Sequence, residues 1–149
     1  MMATTSLLSL IECRQLVRFY DTPTGRVQAV RGVDLEIGKG IMTAVKGPSG
    51  SGKSTLLRMV SGLDEPTAGT VTLAGVDLYE LRRSARARKR GELLTYVHQR
   101  PSDNRLSHLT AKQQLTRRER EPRGLRATDA LELMGIGSRA SSLPIELSG

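Results

Sequence analysis

Tryptophan is absent from the 149 residues, phenylalanine occurs once and tyrosine three times. With so few rings the core must be aliphatic, and recognition of single-stranded nucleic acid by stacked aromatics has little to work with. A lone cysteine, Cys13, excludes an intrachain disulfide framework and fits a reducing compartment. No apolar run approaches the ~20 residues that span a bilayer. Met1 to Ser6 lack the basic flank and long apolar stretch of a signal peptide. The expectation is a cytosolic protein of one domain's size. Proline is scarce, six residues against fifteen glycines, which suits tight turns around regular elements.

What is plentiful is positive charge: 23 Lys and Arg against 15 Asp and Glu, a formal net of +8. It is concentrated. Between residues 82 and 126, 14 basic residues face 4 acidic ones, in clusters at Arg82 to Arg90 and Arg117 to Arg126. Two readings stand: a solvated helix face with an exposed loop, or a nucleic-acid or anionic-surface site. The first is favoured, because neither cluster holds an aromatic residue for base stacking.

Hydropathy orders the elements. Leu7 to Phe19 predicts a first strand, and Asp21 to Gly25 a turn. Val33, Leu35 and Ile37 alternate with Asp34 and Glu36, the period of a strand with one wet face. Ile41 to Val45 predicts a short buried strand, followed by a Gly/Ser-rich loop from Gly47 to Gly52. Lys53 to Val60 predicts a helix with Leu56, Leu57 and Val60 inward, ended by Ser61-Gly62. Beyond the turn Pro66 to Gly69, the pattern predicts a strand at Val71 to Leu73, a helix over Asp77 to Arg90 and a strand at Leu93 to Val97. A polar loop at Pro101 to Asn104 and helices over Ala111 to Arg120 and Ala127 to Met134 complete it. This is an α/β plan with a helical C-terminal third.

Gly47-Pro48-Ser49-Gly50-Ser51-Gly52-Lys53-Ser54 satisfies G-x-x-x-x-G-K-[ST] without a gap. Its glycines let the backbone curl so that successive N–H groups, including those of Ser49 and Ser51, point at a triphosphate. The loop opens into a helix whose first N–H groups and dipole favour anions. Lys53 supplies charge to the β- and γ-phosphates, the Ser54 hydroxyl can ligate Mg²⁺, and Thr55 can reach the α-phosphate. Cys13, His98 and His108 have no spacing partner for metal or nucleophilic chemistry.

From about Leu10 to Gly149 the chain resembles the ATP-binding subunits of ABC transporters. The likeness is carried by GPSGSGKSTLL, by Gly62-Leu63-Asp64-Glu65-Pro66-Thr67-Ala68-Gly69, by Tyr96-Val97-His98-Gln99, and by Leu143 to Gly149, which ends in Leu-Ser-Gly. The second stretch is especially close to the lipoprotein-releasing and macrolide-export branch. The resemblance implies a P-loop NTPase of ABC type, with an N-terminal β subdomain and P-loop core over 1–99 and a partial helical subdomain over 100–149. Further implied are Mg-ATP as cofactor, Tyr20 (with Phe19 as rival) stacked on adenine, and Gln99 positioning Mg²⁺ and the attacking water. Ser148 and Gly149 would contact the γ-phosphate held by a second subunit. The implied partners are that second nucleotide-binding subunit, head to tail, and a membrane permease subunit, with the protein peripheral on the inner face of the cell membrane.

The family's pattern continues past Leu-Ser-Gly into a Walker B strand, a catalytic glutamate, a D-loop and a switch histidine. These 149 residues stop at Gly149. The resulting expectation is an N-terminal fragment that binds ATP but does not turn it over alone. Lys46 stands where the family has an apolar residue before the loop, and an unpaired lysine is costly there unless it snorkels to water. Ile41 and Gln113-Gln114 are smaller departures, standing where the family has Glu and Glu-Asn.

Overall fold

The computed structural model describes residues 9–100, 103, 105–117 and 125–147. The chain divides into two compact units, Met1–Tyr96 and Val97–Gly149.

In the first unit, period-two alternation builds a long antiparallel hairpin from Ser9–Thr22 (β1) and Gly25–Gly38 (β2). Ala68–Leu73 (β3) pairs with the other side of β1 and the short Val76–Asp77 (β4) follows, giving the order β2-β1-β3-β4, all antiparallel. The core is aliphatic, as the composition requires. Ile11, Cys13 and Leu16 from β1, Val30 from β2, and Val71 and Leu73 from β3 pack with Leu78 and with Met59 and Val60 of the helix Lys53–Val60 (α1). The inward phase of β1 changes between Cys13 and Leu16 because the register slips at Gln15, which has φ of 46°. The Cys13 thiol is pushed up to about 11 by burial and by neighbouring Glu12, so it stays protonated and unreactive at neutral pH.

Four local expectations are corrected. In α1, Leu56 packs beside the core, but Met59 rather than Leu57 fills it, and Leu57 is 44% exposed. Positions 56, 59 and 60 share one helical face and 57 lies off it. Ile41 to Val45 forms no strand and is exposed, Met42 at 98%. Leu93 to Val97 forms no strand either: Leu93 ends a helix and Val97 is 75% exposed. The reason is common to both segments: among the described residues no strand pairs with them, so their backbone groups have no ladder to join. The helix expected from Asp77 runs instead over Arg83–Leu93 (α2), because the Asp77 carboxylate accepts a 2.8 Å bond from the Tyr79 N–H and holds the chain in a turn.

The stretch after α1 is held by side chains from several elements. Arg58 grips the Asp64 carboxylate through two bonds of 2.7 and 2.9 Å, and the Tyr20 hydroxyl donates to the same carboxylate at 3.2 Å. The Tyr79 hydroxyl donates to the Met59 carbonyl at 2.6 Å, and Arg90 to the Gly62 carbonyl at 3.1 Å. Arg86 lies over the Tyr79 ring at 4.8 Å and pairs with Glu65, while Arg88 pairs with Glu92 on its own helix. Part of the first basic cluster is thus engaged within the fold, on a helix with no buried residue.

In the second unit, Ala111–Thr116 (α3) and Ala127–Leu133 (α4) bury Ala111, Ala127 and Leu131, and Pro144 is buried in a short 3₁₀ turn. A reciprocal cap starts α3. The Gln113 N–H donates to the Thr110 hydroxyl, and the Gln113 side-chain oxygen accepts from the Thr110 N–H. The second basic cluster falls largely outside the described residues. No helix among the described residues is long and apolar enough to cross a membrane.

Met59→Ala is expected to lower the unfolding free energy by about 2–5 kcal/mol in urea titration, whereas Met42→Ala should change it by less than about 0.5 kcal/mol. The hydrogen bonds from Arg58 hold the Asp64 carboxyl below its ordinary value. A depressed carboxylate contributes stability above its unfolded pKa and loses it as pH falls through the folded one. Urea midpoints of the wild type and Asp64→Asn should therefore converge on acidification.

Candidate functional site

The Gly-rich loop leaves the exposed segment 41–46 and turns into α1. Two of its glycines carry the geometry. Gly52, at the N-cap of α1, has φ of 85°, and a Cβ there would overlap the carbonyl oxygen of Ala29 on β2. Gly47 has φ of 154°, and a Cβ there would lie 2.8 Å from the Ser51 hydroxyl. Only glycine allows both the backbone shape and the close approach to β2. The turn is closed by a bond from the Ser51 N–H to the Pro48 carbonyl at 3.3 Å, and α1 begins with one from the Leu56 N–H to the Gly52 carbonyl at 2.8 Å.

The start of α1 has no side-chain cap and no acidic residue in its first turn. Its leading N–H groups therefore have no side-chain acceptor, and with the helix dipole they favour an anion. The Lys53 ammonium folds back over the loop, donating to the Gly47 and Pro48 carbonyls at 2.9 and 2.6 Å and to the Ser51 hydroxyl at 3.4 Å. A cleft of about 510 Å³ lies between the loop and β2. Arg31, Lys46 and Lys53 line it, and no Asp or Glu does. Ser54 is exposed and Thr55 half-buried on the same turn of helix. The uncapped start of α1, the Ser54 hydroxyl on its first turn and three cations lining the cleft are a donor set suited to a polyphosphate with a hard cation at its flank.

Of the residues singled out in the sequence, Gly47, Gly50, Ser51, Gly52 and Lys53 all line this cleft. Ser49, Ser54 and Thr55 belong to the same loop and helix turn without lining it. Tyr20 is half-buried, tied by its hydroxyl to Asp64 and carrying the Arg18 guanidinium 4.7 Å from its ring centre. Phe19 carries the Arg26 guanidinium at 4.4 Å, and neither ring lines the cleft. Gln99 lies exposed on a bend of the second unit. Ser148 and Gly149 lie outside the described residues. No group of three or more His, Cys, Asp or Glu residues among the described ones could hold a metal ion. Sequence reasoning did not place Arg31 or Lys46 in the site. The only local signal was a lysine closing an apolar run; for Arg31 there was none, since the approach of β2 to the loop is tertiary.

A sequence profile of the ABC transporter family matches residues 30–149. The macrolide export ATP-binding/permease protein MacB of Escherichia coli K12 is 38% identical over 146 residues, covering 94% of this chain and 22% of that protein. The lipoprotein-releasing system ATP-binding protein LolD of Legionella pneumophila (strain Paris) is 35% identical over 144 residues, covering 94% of this chain and 63% of that one. Among solved structures, the dimeric bacterial ABC transporter cassette MJ0796 superposes with a TM-score of 0.78 at 28% identity, over 93% of this chain and 63% of that one. A post-hydrolysis dimer of MJ0796 bound to ADP and Pi superposes at 0.76 and 26% identity, with the same coverage. The chain thus spans less than two thirds of the length of each of these relatives.

Gly52→Ala is expected to destabilise the first unit and distort the loop, since it combines a left-handed backbone with a collision against main chain. Gly50→Ala, whose Cβ would meet nothing within 4 Å, should cost only the backbone strain of about 1–2 kcal/mol. Chemical denaturation of the two variants side by side separates the effects.

Proposed function

The chain belongs to the ABC transporter family, and from that premise we propose that it is the ATP-binding part of a transport ATPase, holding Mg-ATP in the cleft between the loop 47–52 and β2. The observation that carries the reading is the convergence of a glycine-shaped loop, an uncapped helix start and the Lys53 ammonium on one cleft that no acidic side chain lines. That charge balance suits the tail of a nucleoside triphosphate. Support also comes from the MJ0796 cassette bound to ADP and Pi.

In this reading the N–H groups of Gly50 to Ser54 bind phosphate oxygens, Ser51 giving up its bond to the Pro48 carbonyl, and Lys53 exchanges its loop carbonyls for the β- and γ-phosphates. Ser54 would hold Mg²⁺, and Thr55 would reach the α-phosphate. The ion, when bound, neutralises charge shared by the β- and γ-oxygens. Tyr20 stacking on adenine, with Phe19 as the alternative ring, and Ser148 with Gly149 reaching a γ-phosphate held by a second subunit belong to the same proposal. So do a membrane permease partner, a head-to-tail pairing of two such chains and a place on the inner face of the cell membrane. Binding rather than turnover is the activity proposed for these 149 residues taken alone. A general base or an acidic ligand for the metal is missing among the residues lining the cleft.

Isothermal titration with Mg-ATP tests the reading. Lys53→Ala should weaken binding by roughly thirtyfold, the worth of about 2 kcal/mol in charge-assisted hydrogen bonds. In Ser54→Ala, chelating the magnesium should no longer lower affinity. Binding that ignores both substitutions would remove the loop from the assignment.

A further inference from the structure

The lining of the cleft holds more positive charge than the loop itself supplies. Lys53 is the loop's own cation, and its ammonium is held by the loop's oxygens. Lys46 stands immediately before the loop, at the end of the exposed segment 41–46, and Arg31 comes from β2 across the cleft. Both are exposed, and neither side chain has a hydrogen-bond or ion-pair partner among the described residues. This sets them apart from Arg14, Arg58, Arg86 and Arg88, which are each committed to a carboxylate. Two uncommitted cations on the wall of a cleft that no carboxylate lines raise its potential, and such a cleft concentrates anions.

Resting on the nucleotide reading above, we propose that Lys46 and Arg31 are further phosphate-binding residues of this cleft, adding two side-chain cations to Lys53 for a linear triphosphate chain. They grip the phosphate tail rather than the base, so inorganic tripolyphosphate shares the site with ATP and depends on the same two residues. Being exposed, both act through charge that salt screens. Neither packs in the core, so replacing them leaves the fold intact.

The test is titration of the full 149-residue chain with ATP and, separately, with tripolyphosphate, at low salt and at roughly 1 M salt, where exposed charges are screened within about 3 Å. Lys46→Met and Arg31→Gln are each expected to raise the Kd about fivefold for both ligands at low salt, with the difference shrinking at high salt. Lys46→Glu should weaken binding further, and circular dichroism should show all three variants folded. Should Lys53→Ala weaken binding while Lys46→Met and Arg31→Gln leave it unchanged, the extra cations are overturned and the nucleotide reading stands. Loss of ATP affinity with tripolyphosphate unaffected would also overturn the proposal, since the residues would then read the nucleoside. Binding indifferent to Lys53, or no binding by the wild type, overturns the nucleotide reading and this inference with it.

Discussion

A left-handed glycine pressed against a neighbouring strand holds the candidate site in shape. Gly52 is at once the last residue of the loop and the N-cap of α1, and its α-carbon sits against the Ala29 carbonyl of β2 with no room for a side chain. The contact does two things. It sets the direction in which α1 leaves the loop, which aims the helix's leading amides, and it brings β2 alongside the loop so that a cleft exists between them. The loop's own bonds, from the Ser51 N–H and the Lys53 ammonium, hold its turn, and the close approach at Gly52 ties it to β2.

The other end of α1 is secured differently. Met59 and Val60 are buried among β1, β2 and β3, and Arg58 leaves the same turn to clamp Asp64. Tyr20 and Tyr79 bind the same stretch from β1 and from the turn after β4. The chain's few aromatic rings are therefore spent on holding polar backbone and carboxylate groups as well as on packing, which fits a core built from aliphatic side chains. The Arg18 guanidinium over the Tyr20 ring belongs to the same scaffold. A base stacking on that ring would share it with an existing cation contact.

The positive charge also sorts by context. On α2, Arg86, Arg88 and Arg90 meet a carboxylate or a carbonyl within the fold. Around the cleft, Lys46 and Arg31 do not. A count of basic residues pointed to the region after residue 82, yet the cations that bear on the candidate site lie before residue 54. Charge density along the chain is a poor guide to charge density in space.

Consecutive residues alone were enough to read the phosphate-type loop, the helix Lys53–Val60 to its ends, the hairpin turn and the family. Each depends on local backbone freedom, short hydrogen bonds or a fixed spacing, which neighbours in the chain specify. Three strands were legible as well, through the apolar run that overlaps β1, the alternation of Val33, Leu35 and Ile37 in β2, and Val71 to Leu73 in β3, but two others were not. Ile41 to Val45 and Leu93 to Val97 have the apolar content of buried strands, but a strand is completed by another strand, and no strand among the described residues pairs with them. The slip at Gln15, the choice of Met59 over Leu57 for the core, and the arrival of Arg31 at the cleft were likewise decided by packing between distant segments. Sequence specified the glycine loop and its lysine; only the meeting of β2 with the loop decided which of the remaining cations line the cleft beside them.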